Sequence, residues 1–231
     1  MERMMAGSDG PVMAELEDLI AKGRKHGARK RVILLQAARL FVERGYDLTG
    51  IDDIGAAAGV SGPAVYRHFA GKQGILLALI ELSMERLQEG SRVALEARER
   101  EPRERLVMLV DWFSAFALEN QELMLILQGE LSRLPEEDRR RLHHQMRTLR
   151  EEWGALLVEV RPDLSGLGAQ IAVTSVIGMV TPVVAARLGG ETAAVREHLR
   201  AQMLAVMRVS ALSSSLPTKV NGAILFHDRR A

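Results

Sequence analysis

Residues 37–72 read AARLFVERGYDLTGIDDIGAAAGVSGPAVYRHFAGK. At their centre Gly59-Val60-Ser61 is a tight turn between two short stretches with helical spacing of apolar residues. Ile51 to Ala58 forms the first short helix. Thr49 or Gly50 caps it, and Asp52 and Asp53 favour its positive end. Pro63 opens the second, which runs through Phe69. Before them Ile33, Leu34, Ala37, Ala38, Leu40, Phe41 and Val42 mark a longer amphipathic helix over 30–44, stopped at Gly45. Two short helices around a glycine turn, braced by a longer one, are a helix-turn-helix arrangement. Ile51, Ile54, Ala58, Val60 and Val65 supply its small core.

The charge distribution agrees with a reader of polyanions. The net charge of the 231 residues is only +1, but residues 22–72 hold ten basic groups against four acidic ones. Residues 1–21 hold one basic group against five acidic ones. A basic segment on a near-neutral body is the electrostatic footprint of nucleic-acid binding, although a solvated basic face gives the same count.

The order and spacing Ala37-Ala38-x-Leu40-Phe41-x-x-x-Gly45-Tyr46-x-x-Thr49, Ile51-x-x-Ile54, Ala58-Gly59-Val60-Ser61 and Val65-Tyr66-Arg67-His68-Phe69-x-Gly71-Lys72 closely resemble the DNA-binding domain of the TetR family of transcriptional regulators. The resemblance covers residues 30–80. Gly50 departs from it where a second hydroxyl residue is usual, and Gly55 where Ala is usual. It implies that Thr49, Tyr66, His68 and Lys72 contact phosphates. Gly62, Pro63 and Ala64 then open the helix that reads base edges. None of these three can make the paired hydrogen bonds that identify guanine or adenine. Direct readout is therefore expected from Arg67, from Ser61, or from the basic stretch Lys22–Arg31 acting as an arm. The resemblance further implies a homodimer on double-stranded operator DNA and a small-molecule ligand in the remaining chain.

Beyond Lys72 the pattern stays helical. A long helix runs from Lys72 past Leu87. Pro102 opens one through Glu119, Asn120 caps one through Leu131, and Pro135 opens one through Val160. Leu167–Leu188 is apolar nearly all round with Pro182 inside it, and Thr192 starts a last helix through about Ala211. The expected fold is all-α, with about nine or ten helices. The expected division is an N-terminal extension over 1–29 with a possible short helix, a helix-turn-helix reader over 30–75, a helical ligand and dimerisation body over 76–213, and a tail over 214–231.

Other function classes are excluded or disfavoured. With no Cys there is no disulfide framework, thiolate metal site or Cys nucleophile. No phosphate loop, zinc-spaced His/Glu pair or nucleophile elbow occurs, so no enzyme, cofactor or metal site is expected. His143-His144 are neighbours that point about 100° apart on a helix and make no metal site. The start carries no secretory signal, and the longest apolar stretch, Val173–Ala186, is short for a bilayer, so a cytoplasmic location and no membrane partner are expected.

Trp112, Phe113, Phe116, Met124, Trp153 and Met179 are candidates for an apolar ligand pocket, with core packing as the competing explanation. The basic run Arg139 to Arg150 suggests an entrance for an anionic ligand such as an acyl-coenzyme A, against a solvated face balanced by glutamates. The leading function is a repressor relieved by such a ligand. A small-molecule-binding protein with a vestigial reader and a ligand-activated DNA binder stay open beside it. The dimer is expected through helices 167–188 and 192–211.

Overall fold

A computed structural model describes residues 25–186 and 192–209, with side chains over 29–186 and 193–209. Nine α-helices lie among them and no strand does. They are α1 (Lys25–Arg44), α2 (Ile51–Ala57), α3 (Gly62–Tyr66), α4 (Gly71–Glu96), α5 (Pro102–Glu119), α6 (Gln121–Gly129), α7 (Glu136–Val160), α8 (Gly166–Ala185) and α9 (Thr192–Val206). A single 3-10 turn, Leu131–Arg133, sits between α6 and α7. The short helix expected in the N-terminal extension and the tail over 214–231 lie outside the described residues.

The starts of the helices follow local chemistry. Pro102 occupies the first turn of α5, where a missing N–H costs nothing. Ser165 Oγ accepts from Gly168 N at 3.0 Å and caps α8. Asn120 does not cap α6 through its side chain. Its Nδ2 donates back to Phe116 O at 2.8 Å and closes the end of α5 instead. The basic stretch expected as an arm is already helical from Lys25, because the apolar face of α1 outweighs one interior glycine, Gly27.

The reader packs α1 across α2 and α3, around Ile33, Ala37, Leu40, Phe41, Ile54, Val65 and Phe69, all buried. The body is built on α4. Helices α5, α6 and α7 pack on it, α8 lies along α7, and α9 lies across α5. Arg105 of α5 is buried and closes the C-terminal end of α4. Its guanidinium donates to Ala94 O at 3.2 Å and Leu95 O at 2.6 Å, and pairs with Glu159 of α7 at 3.0 Å. Arg200 of α9 pairs with Asp111 of α5.

Helix α8 is 20 residues long, with mean hydropathy 1.7, and by length and composition it could cross a membrane. The longest apolar stretch in the sequence, Val173–Ala186, is shorter than the helix. In the structure it packs against α7, α6, α9 and α5, burying Val173, Val176, Val180 and Val184 on one face. Leu167, Ile171, Thr174, Gly178 and Pro182 form the opposite, exposed stripe. Ala201, Ala205 and Val206 of α9 are exposed as well. Met203 of α9 is fully buried, as is Val176, so neither belongs to an outer face.

Candidate nucleic-acid interface

The turn between α2 and α3 needs glycine twice. Gly59 has φ +65°, in the left-handed region where side chains clash. Gly55 is buried, and a Cβ there would lie 2.9 Å from Val60 O and 3.2 Å from Gly62 N. A glycine inside a helix costs propensity, and here it permits the close approach of the turn. At the head of α2, Asp53 Oδ2 accepts from Gly50 N at 2.8 Å.

This geometry presents one exposed surface. Ser61, Pro63, Tyr66 and Arg67 are exposed, and Tyr66 leaves 62% of its surface free although it is a large aromatic. Ala64 and His68 are partly exposed, while Val65 and Phe69 hold α3 to the core. A hydroxyl on a rigid ring, a guanidinium and an imidazole thus project from one short helix and the turn after it. Arg29 and Lys30 of α1 are exposed, and the Lys30 ammonium lies 5.4 Å from the Phe69 ring centre. Gly62 is buried by a neighbour that charge counting did not single out. A Cβ at Gly62 would lie 2.1 Å from Asp52 Oδ1, so the Asp52 carboxylate occupies the space a side chain would take.

Two expected phosphate contacts are engaged within the protein. Thr49 is only 1% exposed, and its hydroxyl faces Gly45 O at 2.9 Å and Leu40 O at 3.2 Å. Its proton is committed to the turn after α1 and is not offered to a phosphate. Lys72 Nζ donates to Tyr46 O at 2.8 Å and Asp47 O at 3.3 Å, and lies 4.4 Å from the Tyr46 ring centre. It is partly exposed, so the charge still contributes to the surface field while the side chain pins the Gly45–Thr49 turn to α4.

The same turn joins reader to body. Arg133, from the 3-10 turn, pairs with Asp47 at 2.6 Å and also with Glu130, and its guanidinium lies 5.1 Å from the Tyr46 ring. Gln73 Nε2 of α4 donates to Arg133 O at 2.8 Å. Burial pushes the Tyr46 hydroxyl above its ordinary value, against the opposing pull of Arg133. No sequence spacing links Asp47 to Arg133, so this junction escaped the sequence reading.

The expected ligand residues are brought together, but onto one another. Phe113 meets Trp153 edge-on at 5.0 Å, and Trp112 stacks on Phe116 at 5.2 Å. Phe113, Phe116, Met124 and Trp153 are buried core, and Met179 and Trp112 are partly buried against it. Trp153 Nε1 is buried with no hydrogen-bond partner. Two surface clefts lie at the far end of the body, about 220 Å³ and 370 Å³, and both are lined by Arg161 and Arg208. Neither includes any of the six expected residues. Three of the five arginines in the basic run on α7 are paired in place. Arg140 faces Glu136, Arg141 faces Glu81 and Asp138, and Arg147 faces Glu151 and His144.

Comparison with known proteins finds relatives of both parts. Residues 33–79 match the family described as bacterial regulatory proteins, tetR family, and residues 99–185 match a tetracyclin repressor-like C-terminal domain. The HTH-type transcriptional activator FasR of Mycolicibacterium smegmatis is 38% identical over 88 residues, covering 38% of this chain and 40% of FasR. The HTH-type transcriptional regulator EthR of the same organism is 32% identical over 74 residues, covering 32% of this chain and 34% of EthR. These matches span less than half the length of either relative. A TetR-family regulator from Bordetella parapertussis has a TM-score of 0.68 at 24% identity, over 76% of this chain and 93% of that one. AibR, solved with isovaleryl coenzyme A and operator DNA, has a TM-score of 0.63 at 21% identity, over 75% of this chain and 97% of its own. The two family matches fall one in the reader and one in the body, and together they take in more than half of the chain, which belongs to the tetR family of bacterial regulatory proteins.

Proposed function

We propose that this chain is a DNA-binding transcriptional regulator, acting as a homodimeric repressor of a near-palindromic operator and released by an apolar small molecule. The observation that carries the reading is the surface of α3 and its flanks, where Ser61, Tyr66 and Arg67 stand exposed around a buried anchor of Val65 and Phe69. Tyr66, Arg67, His68 and the Lys72 charge serve the phosphate backbone and the edge of the major groove. The role is regulatory and not catalytic.

The homodimer is supported by the exposed stripe of α8 beside the exposed alanines of α9. Leu167 and Ile171 leave 68% and 58% of their surface free on an otherwise apolar helix. Small residues Gly178 and Ala185 flank them and admit a second helix closely. Two copies related by a two-fold axis would set two α3 helices toward successive major grooves. Residues 30–75 act as the reader and residues 76–213 as the ligand and dimerisation body.

The ligand's apolar character rests on the composition of α5 to α8. An acyl-coenzyme A is the first candidate, since AibR was solved with one, although the paired arginines of α7 give its phosphates little welcome. Ligand in the body would act on the reader through α4 and through the Arg133 junction. The test is selection of bound sequences from random DNA by the full chain, repeated with long-chain acyl-coenzyme A and with the matching free fatty acid. A palindromic consensus released by either compound supports the proposal. No enrichment refutes DNA binding, and tighter binding with ligand reverses the sign to an activator-type linkage.

A further inference from the structure

The first turn of α3 is where a recognition helix meets base edges, yet here it reads Gly62-Pro63-Ala64. Gly62 has no side chain, Pro63 has no N–H and Ala64 offers a methyl. The structure fills this gap from the neighbouring helix. Asp52 of α2 lies with Oδ1 where the Gly62 Cβ would be. Its carboxylate is exposed, and it makes no hydrogen bond or ion pair among the described residues. The adjacent Asp53 is different, because its carboxylate closes the head of α2 on Gly50 N. Capping therefore accounts for Asp53, whereas Asp52 shares only the favourable charge position in the first turn of α2 and has no bonded partner there.

We infer that Asp52 is a base-reading residue of this protein, standing in for the side chain that Gly62 lacks and selecting cytosine through its N4 amino group. The inference rests on the DNA-binding reading above. A carboxylate can only accept hydrogen bonds. In the major groove the donors are cytosine N4 and adenine N6. Adenine places its N7 acceptor beside N6, which repels a carboxylate, and guanine and thymine offer acceptors there. Cytosine is the base whose groove edge offers a donor without a neighbouring acceptor. The carboxylate also repels phosphates at every sequence. It lowers affinity for random DNA and recovers the loss only where the amino group is present. Asp52 thus widens the ratio between operator and non-specific DNA.

Gly62 and Asp52 act as a unit in this reading. Any side chain at 62 displaces the carboxylate, and loss of the carboxylate leaves the first turn of α3 with no polar group but Ser61.

The experiment is selection from random duplex DNA by the full chain, its Asp52→Ala and Asp52→Asn variants, and Gly62→Ala, followed by anisotropy titrations on the consensus and on a scrambled duplex. Thermal melts check that each variant is folded. Wild type is expected to select cytosine at one position in each half-site. Asp52→Ala should flatten the preference at that position by roughly 5- to 150-fold, the range of a good base contact, and should bind the scrambled duplex more tightly. Asp52→Asn should move the preference there to adenine, which an amide reads through N6 and N7. Gly62→Ala should flatten the same position as Asp52→Ala. A wild type with a clear consensus, and an Asp52→Ala variant with the same preference at every position, overturns the role of Asp52 while leaving DNA binding intact. A wild type that enriches no sequence overturns the DNA-binding reading and this inference with it.

Discussion

The contact between Gly90 of α4 and Trp112 of α5 sets two effects of opposite sign against each other. Gly90 is buried, and an alanine methyl there would lie 1.9 Å from Trp112 Cζ2 and 2.1 Å from Cε2. Carbon atoms meet comfortably at about 3.5–4.0 Å, so the indole must retreat or rotate. Any such movement disturbs Phe116, stacked on the indole at 5.2 Å and 23°. Replacing glycine inside a helix by alanine gains about 1 kcal/mol of propensity. Overpacking costs about 1–3 kcal/mol, and losing the stack a further ~0.5–1.5 kcal/mol. The clash wins. Gly90→Ala should destabilise the protein by about 1–3 kcal/mol, which at this chain length is roughly 3–9 °C in Tm. In a Trp112→Ala background the clash is gone, and the same change should stabilise by about 1 kcal/mol. The assay is urea unfolding followed by circular dichroism, at one protein concentration throughout, because association adds to apparent stability. A Gly90→Ala variant more stable than wild type would falsify the packing argument, as would equal effects in the two backgrounds.

Three further outcomes follow from the geometry. Arg133→Ala should leave the melting temperature nearly unchanged, since Arg133 and Asp47 side chains are 38% and 70% exposed and solvent screens such a pair. Amide hydrogen exchange in the Gly45–Thr49 turn should nevertheless speed up, and unchanged protection there would remove Arg133 from the reader–body junction. Ile171→Glu, on the exposed stripe of α8, should give monomers with full helicity in sedimentation velocity, whereas Val176→Glu, on the buried face, should unfold; a wild type already monomeric at micromolar concentration refutes the proposed interface. Burial holds the Asp111 carboxyl above its ordinary value of 3.8, outweighing the opposing pull of Arg200. The folded chain keeps that proton to higher pH than the unfolded chain. This group therefore makes stability fall as pH rises from about 4 through the raised value, and Asp111→Asn should remove that part of the slope in denaturant titrations across pH 4–7.

The reader was legible because everything that defines it is local. The Gly59 turn, the apolar spacing of α2 and α3 and the stop at Gly45 lie within thirty residues and recur in the structure, except that α3 ends at Tyr66 and not at Phe69, because the chain turns toward the left-handed Gly71. Pro102 and Pro135 likewise mark the starts of α5 and α7. Thr49 and Lys72 behave differently because their partners are set by folding. Lys72 reaches carbonyls 25 and 26 residues back, and Thr49 donates to Leu40 across the end of α1. A residue type names the bonds a side chain can make. It does not say whether the protein has already used them. The approach of Asp52 to Gly62 is not legible in the sequence for the same reason, since only the packing of α2 against α3 brings the carboxylate there.

The body was legible as helices but not as a site, and the reason lies in what apolar periodicity measures. A pocket wall and a core both require apolar side chains at helical spacing. The stripe Leu106, Leu109, Val110, Phe113 and Phe116 is equally suited to either, and here it is core. Helix α8 adds a second ambiguity. Apolar on all sides, it has no polar face to point outward, so its sequence does not distinguish buried Val176 from exposed Ile171. The charges of α7 were more informative than the composition suggested. Two of its arginines pair with glutamates four residues away, Arg140 with Glu136 and Arg147 with Glu151, a spacing visible in the sequence. Such pairs are exposed and weak as stabilisers, but they cancel much of the field a free cluster would project. An anionic ligand approaching α7 therefore meets mixed charge and not a basic mouth. An acyl chain and a coenzyme A headgroup then make separable demands on this body. Its apolar helices can serve the chain, while the headgroup phosphates need a cation from elsewhere, such as Arg208 at the far clefts, where Arg161 is already paired with Asp163. Equal release of operator DNA by the acyl-coenzyme A and by the uncharged methyl ester of the same acid would show that the headgroup contributes nothing. A strong preference for the coenzyme A form, lost in Arg208→Ala, would place the phosphates at those clefts.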